Sequence, residues 1–181
     1  MLFFWIIVKK KLVSGTREKA YTKFGTIRKD FFKSYTMPRQ PIFLVAVHAL
    51  FIKDTKVLLS ERSNTGYMDG FFSLPAGHVE PGEGIVAAMK REIAEETGLI
   101  LPDLPDPVHV MRRIKPQDER IDYFFMIENW LGELSNAEPE KCASLTWFSL
   151  DQLPANTVPY VRQAIEYVRH QQHFSDYLDQ D

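Results

Sequence analysis

Cysteine is nearly absent: Cys142 is the only one in 181 residues. A lone thiol excludes an internal disulfide framework, and no Cys/His group shows zinc-site spacing, so a reducing, cytoplasmic setting is expected. Long hydrophobic runs are also missing. The apolar stretch LFFWIIV (Leu2–Val8) has seven residues. As a helix it would cover about 10 Å, a third of a bilayer core, so no transmembrane segment is expected. It does not read as a signal peptide either, because Lys9, Lys10 and Lys11 follow it and no small-residue cleavage site comes after. Internal repeats and low-complexity segments are lacking. No Ser/His/Asp set stands out, so nothing points to nucleophilic catalysis by a side chain.

What is present supports a folded domain. Apolar residues make up 45% of the chain and aromatics 13%, enough for a core, and the length suits one domain plus a tail. The formal charge of −2 conceals an uneven distribution. Residues 1–36 carry nine Lys or Arg against Glu18 and Asp30, and the remainder is correspondingly acidic. Met37 opens MPRQPIFLVAV, where a regular apolar pattern begins. Residues 1–36 are therefore expected to be a basic extension, outside the native protein or disordered, before a domain at 37–181. A peripheral membrane anchor is the alternative.

From Pro41 strands and helices alternate. Ile42–Ile52 and Lys56–Arg62 predict a hairpin around Lys53-Asp54-Thr55. Phe71–Leu74 predicts a short strand stopped by Pro75. Val108–Ile114, Ile121–Leu131 and Leu145–Phe148 predict further strands. A helix is expected over Ile85–Thr97, ended by Gly98, and an amphipathic one over Val158–Gln172, with a frayed end after it.

The first helix carries an unusual charge pattern. On a helical wheel Glu92, Glu95 and Glu96 fall within a sector of about 100°, beside an apolar stripe of Val86, Met89, Ile93 and Thr97. Each close carboxylate pair repels by about 3 kcal/mol at an effective dielectric of 20. A solvated ridge relaxes much of that, and a bound divalent cation turns it into a site. Clustered hard oxygens suit Mg²⁺, with Mn²⁺ as substitute. The preceding loop, with Gly77, Pro81, Gly82 and Gly84, allows a compact turn into a helix N-terminus.

Together these residues form a pattern: Gly77, five residues, Glu83, seven residues, Arg91-Glu92-Ile93, one residue, Glu95-Glu96, one residue, Gly98-Leu99. This resembles a complete Nudix box, and SLPAGH before it and LTWFSLDQLP after it resemble the MutT-like members of that family. The resemblance covers about residues 40–170. It implies an α/β fold, an α/β/α sandwich around a mixed β-sheet, and hydrolysis of a diphosphate linkage in nucleoside diphosphate derivatives. It implies Glu95 and Glu96 as metal ligands, with the Ala76 carbonyl, and Glu92 as a ligand or proton acceptor. Glu83 and Arg91 are expected to fix the loop against the helix. A further acid outside the box is expected at Glu140, with Glu138, Glu119 and Asp122 as rivals. Arg62 and Asn156 are the expected substrate-binding residues, and His78 a loop-packing residue.

A nucleoside triphosphate, cleaved to monophosphate and pyrophosphate, is the first substrate expected, and ADP-ribose or another nucleoside diphosphate sugar the second. Pro116, seventeen residues past Leu99, hints at the second. A non-catalytic nucleotide sensor of this family would be expected to have lost acids, and all three are present. The expected partner is a small-molecule nucleotide, with no stable nucleic-acid partner, and the expected state is a monomer or homodimer.

Overall fold

The computed structural model describes residues 42–115 and 118–179. The expectations for residues 1–36 and for Pro116 lie outside the described residues. Strand β1 (Leu44–Lys53) is buried without interruption from Ala46 to Phe51. A strand covered on both faces has no need of polar alternation, which accounts for its nearly continuous apolar sequence. Asp54, with φ of 56°, turns the chain into β2 (Lys56–Arg62). The expected hairpin is short, pairing only Ile52 with Val57 and Lys53 with Lys56.

Beyond that point the two strands diverge. β2 pairs with β3 (Phe72–Ser73) and, along its whole length, with β7 (Cys142–Ser149). β1 takes β4 (Ala76–His78) on one side, antiparallel, and β6 (Arg120–Ile127) on the other, parallel. β5 (His109–Ile114) pairs antiparallel with β6 and parallel with β8 (Phe174–Leu178). The sheet is therefore mixed, and residues from both branches around β1 line one deep cleft.

One helix covers each face. α1 (Ile85–Thr97) packs Ala88, Met89 and Ile93 against Val47, Ala49 and Phe51. α2 (Pro159–Arg169) packs Val161, Ala164 and Ile165 near Leu50, Met111 and Phe124. These two clusters are what alternation along β1 produces when both faces are covered. The expected α/β/α sandwich is the observed fold. No helix among the described residues is long and apolar enough to cross a membrane.

Several boundaries differ from expectation. β6 ends at Ile127 rather than Leu131, and Leu131 instead forms an isolated bridge with Ile100. α2 stops at Arg169, and Gln171 takes a left-handed φ of 55°. Val86 is exposed and Ala88 replaces it in the buried face of α1, where a small side chain lets the helix approach the sheet. Residues 174–178, within the stretch expected to fray, add β8 to the open edge of β5, whose backbone groups supply the ladder.

Candidate active site

Helix α1 begins without a side-chain cap at Gly84 and ends at Gly98, whose φ of 68° is the left-handed conformation of a helix stop. Between these ends, Arg91 organises the acids. Its Nε and Nη2 donate to Glu83 at 2.9 and 3.0 Å. Its Nη1 donates to Glu92 at 2.8 Å and to Glu95 at 3.1 Å, and Nη2 also donates to the His78 carbonyl at 3.0 Å. One guanidinium thus ties the loop, β4 and the helix ridge together. Glu83 in turn accepts the Glu80 N–H, and these bonds hold its carboxyl below the usual carboxylate range.

Glu96 does not touch Arg91. Its carboxylate turns to β4 and accepts the Ala76 N–H at 3.0 Å. Burial pushes its pKa up to about 8, opposed by the Ala76 bond and reinforced by the nearby charges of Glu92 and Glu138. Burial likewise raises Glu92, against the pull of Arg91. Gly77 lies directly beneath: a Cβ there would stand 1.8 Å from the Glu92 Cδ. That close approach, rather than an unusual backbone angle, is why glycine occupies the position.

The cleft has a volume of about 690 Å³, in the range of small-molecule sites. Ala76, Gly77, Glu92, Glu95 and Glu96 line one part, with Glu138 and Lys141 from the segment before β7. Lys141 Nζ donates to Glu138 at 2.8 Å and is raised by that contact. The expected fourth acid, Glu140, is not among the lining residues. Its carbonyl accepts from Asn64 while Glu138, two residues earlier, faces the cleft, because the tight turn over 138–142 points alternate side chains apart. The rivals are engaged elsewhere: Glu119 binds Arg112, and Asp122 is fully buried against Arg113.

Arg62 reaches the cleft from the end of β2, with Nε on the Tyr67 carbonyl and Nη2 on Thr65. Asn156 does not line it. Its amide donates to the Gly70 carbonyl at 2.7 Å, bracing two loops. His78 lines the cleft and meets Arg120, and burial lowers its pKa. Sequence reasoning missed His48, Arg113 and Tyr160, which also line the cleft. A signal for Arg113 existed: His109, Met111 and Arg113 alternate on the inward face of β5, where a charge is out of place.

The donor set along the acidic edge is all oxygen, which fits a hard divalent cation. Glu96 is raised chiefly by burial and further by the nearby charges of Glu92 and Glu138, a setting in which a bound cation would favour its charged form. Among the described residues no three acidic, imidazole or thiolate groups yet converge on one point, and Arg91 serves as the countercharge for Glu92 and Glu95.

A family profile for the NUDIX domain matches residues 42–168. The chain belongs to the NUDIX family. It is similar to an ADP-ribose pyrophosphatase of Methanocaldococcus jannaschii, 35% identical over 153 residues, which is 83% of this chain and 86% of that one. A Bacillus subtilis protein named as a candidate 8-oxo-dGTP diphosphatase is 36% identical, over 61% of this chain and 68% of its own. The structure resembles a MutT NUDIX hydrolase from Burkholderia pseudomallei, with TM-score 0.64, 28% identity, and 70% of this chain and 98% of that one covered. This NUDIX chain is accordingly a hydrolase acting on nucleoside diphosphate derivatives, in a family that generally requires a divalent metal ion.

Proposed function

We propose that this NUDIX hydrolase cleaves ADP-ribose or a closely related nucleoside diphosphate sugar to a nucleoside monophosphate and a sugar phosphate. The observation that carries this reading is the likeness to the Methanocaldococcus jannaschii ADP-ribose pyrophosphatase over 83% of this chain and 86% of that one. It reverses the order expected from the sequence, which placed a triphosphate first. The triphosphate remains the second reading, favoured by the likeness to the Bacillus subtilis protein over a shorter span.

The cleft supports either substrate through its division of labour. Glu92, Glu95, Glu96 and the Ala76 carbonyl would hold Mg²⁺, or Mn²⁺ in its place, and Glu138 adds a further carboxylate nearby. When bound, such ions neutralise diphosphate oxygens and acidify water. Arg91 positions the carboxylates through its bonds to Glu83, Glu92 and Glu95. A water oxygen bonds to phosphorus as the bridging P–O bond breaks, and Glu92 or Glu138 takes the proton released. Arg62 stands at the cleft to meet the substrate's negative charge.

The test is product identification. The full chain is incubated with Mg²⁺ and a panel of ADP-ribose, other nucleoside diphosphate sugars and nucleoside triphosphates. AMP with ribose 5-phosphate from ADP-ribose supports the proposal. Pyrophosphate released from triphosphates alone would replace it with the second reading, and no product from any member of the panel would overturn both.

A further inference from the structure

The cleft contains a second polar cluster that diphosphate hydrolysis does not use. His48 from β1, Arg113 from β5 and Tyr160 from α2 line it, with Asp122 of β6 behind them. All are buried: His48 is 3% exposed, Arg113 6% and Asp122 0%. Arg113 Nε lies 2.6 Å from Asp122 Oδ2, and His48 Nε2 lies 3.7 Å from Asp122 Oδ1. The first contact is a charge pairing without an aligned N–H, and the second is beyond hydrogen-bond distance. Both ring nitrogens of His48, Arg113 Nε and both Asp122 oxygens consequently have no hydrogen-bond partner.

Buried polar atoms are nearly always satisfied, by protein, by water or by a ligand. Four of these atoms face one another across the Arg113–Asp122 and His48–Asp122 contacts, which leaves His48 Nδ1, on a side chain that lines the cleft, as a buried polar atom placed to take a hydrogen bond from a ligand. The cluster is rigid. The Arg113 guanidinium lies over the Tyr160 ring at 3.9 Å, and His48 stacks on Phe124 at 4.6 Å. Adjacent strands fix the alignment, with His48 opposite Phe124 on β6 and Met111, two before Arg113, opposite Asp122.

Charge decides what fits. Asp122 already neutralises Arg113, so the cluster offers shaped hydrogen bonding without net positive charge. Phosphate would gain little from it. A flat neutral group edged with ring nitrogens and carbonyl or amino groups matches it, and on a nucleotide that group is the base. Resting on the nucleotide-hydrolase reading above, we propose that His48 and Arg113, held from behind by Asp122, read the edge of the nucleobase and set which nucleotide this cleft accepts. A site built to hydrogen-bond a ligand rejects analogues that leave its polar atoms unpaired, so such a cluster yields large discrimination.

The experiment separates this inference from turnover. Dissociation constants for AMP, GMP, CMP and UMP are measured by calorimetry on the full chain, without added metal, for wild type and His48→Phe. Phenylalanine preserves the stack on Phe124 and removes both ring nitrogens. We expect wild type to favour one base by at least about 10-fold over the weakest, and His48→Phe to compress that spread to about 3-fold or less. We also expect the unfolding midpoint of His48→Phe to be no lower than wild type, because unsatisfied atoms have been removed; a merely structural histidine would lower it. The double variant Arg113→Met/Asp122→Asn, which leaves no buried charge unpaired, should lose discrimination as well. Equal or absent binding of all four monophosphates by wild type, or an unchanged spread in the variants, would overturn the inference. Selective binding without hydrolysis of any panel substrate would instead overturn the proposed activity and leave this inference standing.

Discussion

Gly77 sits so close beneath Glu92 that a methyl group on it would overlap the Glu92 carboxyl, at 1.8 Å from Cδ and 2.0 Å from Oε1. The obstructed atoms are the far end of a flexible side chain, so the fold can yield while the site cannot. Gly77→Ala is expected to shift the unfolding free energy by about 1 kcal/mol or less, yet lower kcat by about 10-fold or more by displacing the carboxylate. Chemical unfolding and steady-state kinetics on the same preparation check this. Full activity would show that the Glu92 position is not critical.

Glu96→Gln preserves shape and removes one charge from the acidic edge. Turnover is expected to fall by about 100-fold or more, with the circular dichroism spectrum unchanged. A folded variant that keeps near wild-type kcat would remove Glu96 from the proposed ligand set.

Glu138 and Glu140 lie two residues apart, and only Glu138 lines the cleft. Glu138→Gln is expected to lower kcat by about 10-fold or more. Glu140→Gln should stay within about 2-fold of wild type, as ordinary surface changes do. The reverse outcome would restore the acid expected from sequence.

Stability should depend on pH through Glu96. Burial raises its pKa from the ordinary value of 4.5 to about 8 on folding. Between those values the native state holds a proton that the unfolded state has lost, so this group's contribution is full below about pH 4.5 and disappears as pH rises through about 8. His78 and His109 are lowered by burial and act in the opposite direction below about pH 6.5, so the comparison must be with Glu96→Gln, which shares them. Without metal, the midpoint difference between wild type and Glu96→Gln should move against wild type from pH 5 to pH 8.5. Added Mg²⁺ should recover it most at the high end, where proton and metal no longer compete. A difference independent of pH would contradict the assignment.

Asn156 binds the Gly70 carbonyl rather than the cleft. Asn156→Ala should cost about 1 kcal/mol of stability and leave KM within about 2-fold. A large rise in KM at unchanged stability would return Asn156 to substrate binding.

The acidic edge was legible because helical spacing is local. Residues 92, 95 and 96 share an edge wherever the helix lies, and the glycines at 77 and 98 announce the loop and the helix stop. Arg113 and Asp122 were less legible. The alternation of β5 and β6 places both on inward faces, but which inward charges meet depends on the register, with Met111 opposite Asp122. The preference for Glu140 over Glu138 failed to match the cleft lining because neighbouring turn residues differ in direction, not in composition.

The amino-acid order alone determined the helix over residues 85–97, the carboxylate ridge on it, and the apolar β1 that needs cover on both faces. Each follows from backbone periodicity and side-chain type within a few residues. Tertiary structure alone decided that residues 174–178 become a strand, that Asn156 braces a loop, and that His48, Arg113 and Asp122 meet at one cleft. The β8 pairing, the Asn156 bond and the approach of His48 to Asp122 depend on partners more than about 60 residues away in sequence, and pairing at such separation is set by sheet register and loop closure, which local patterns do not carry.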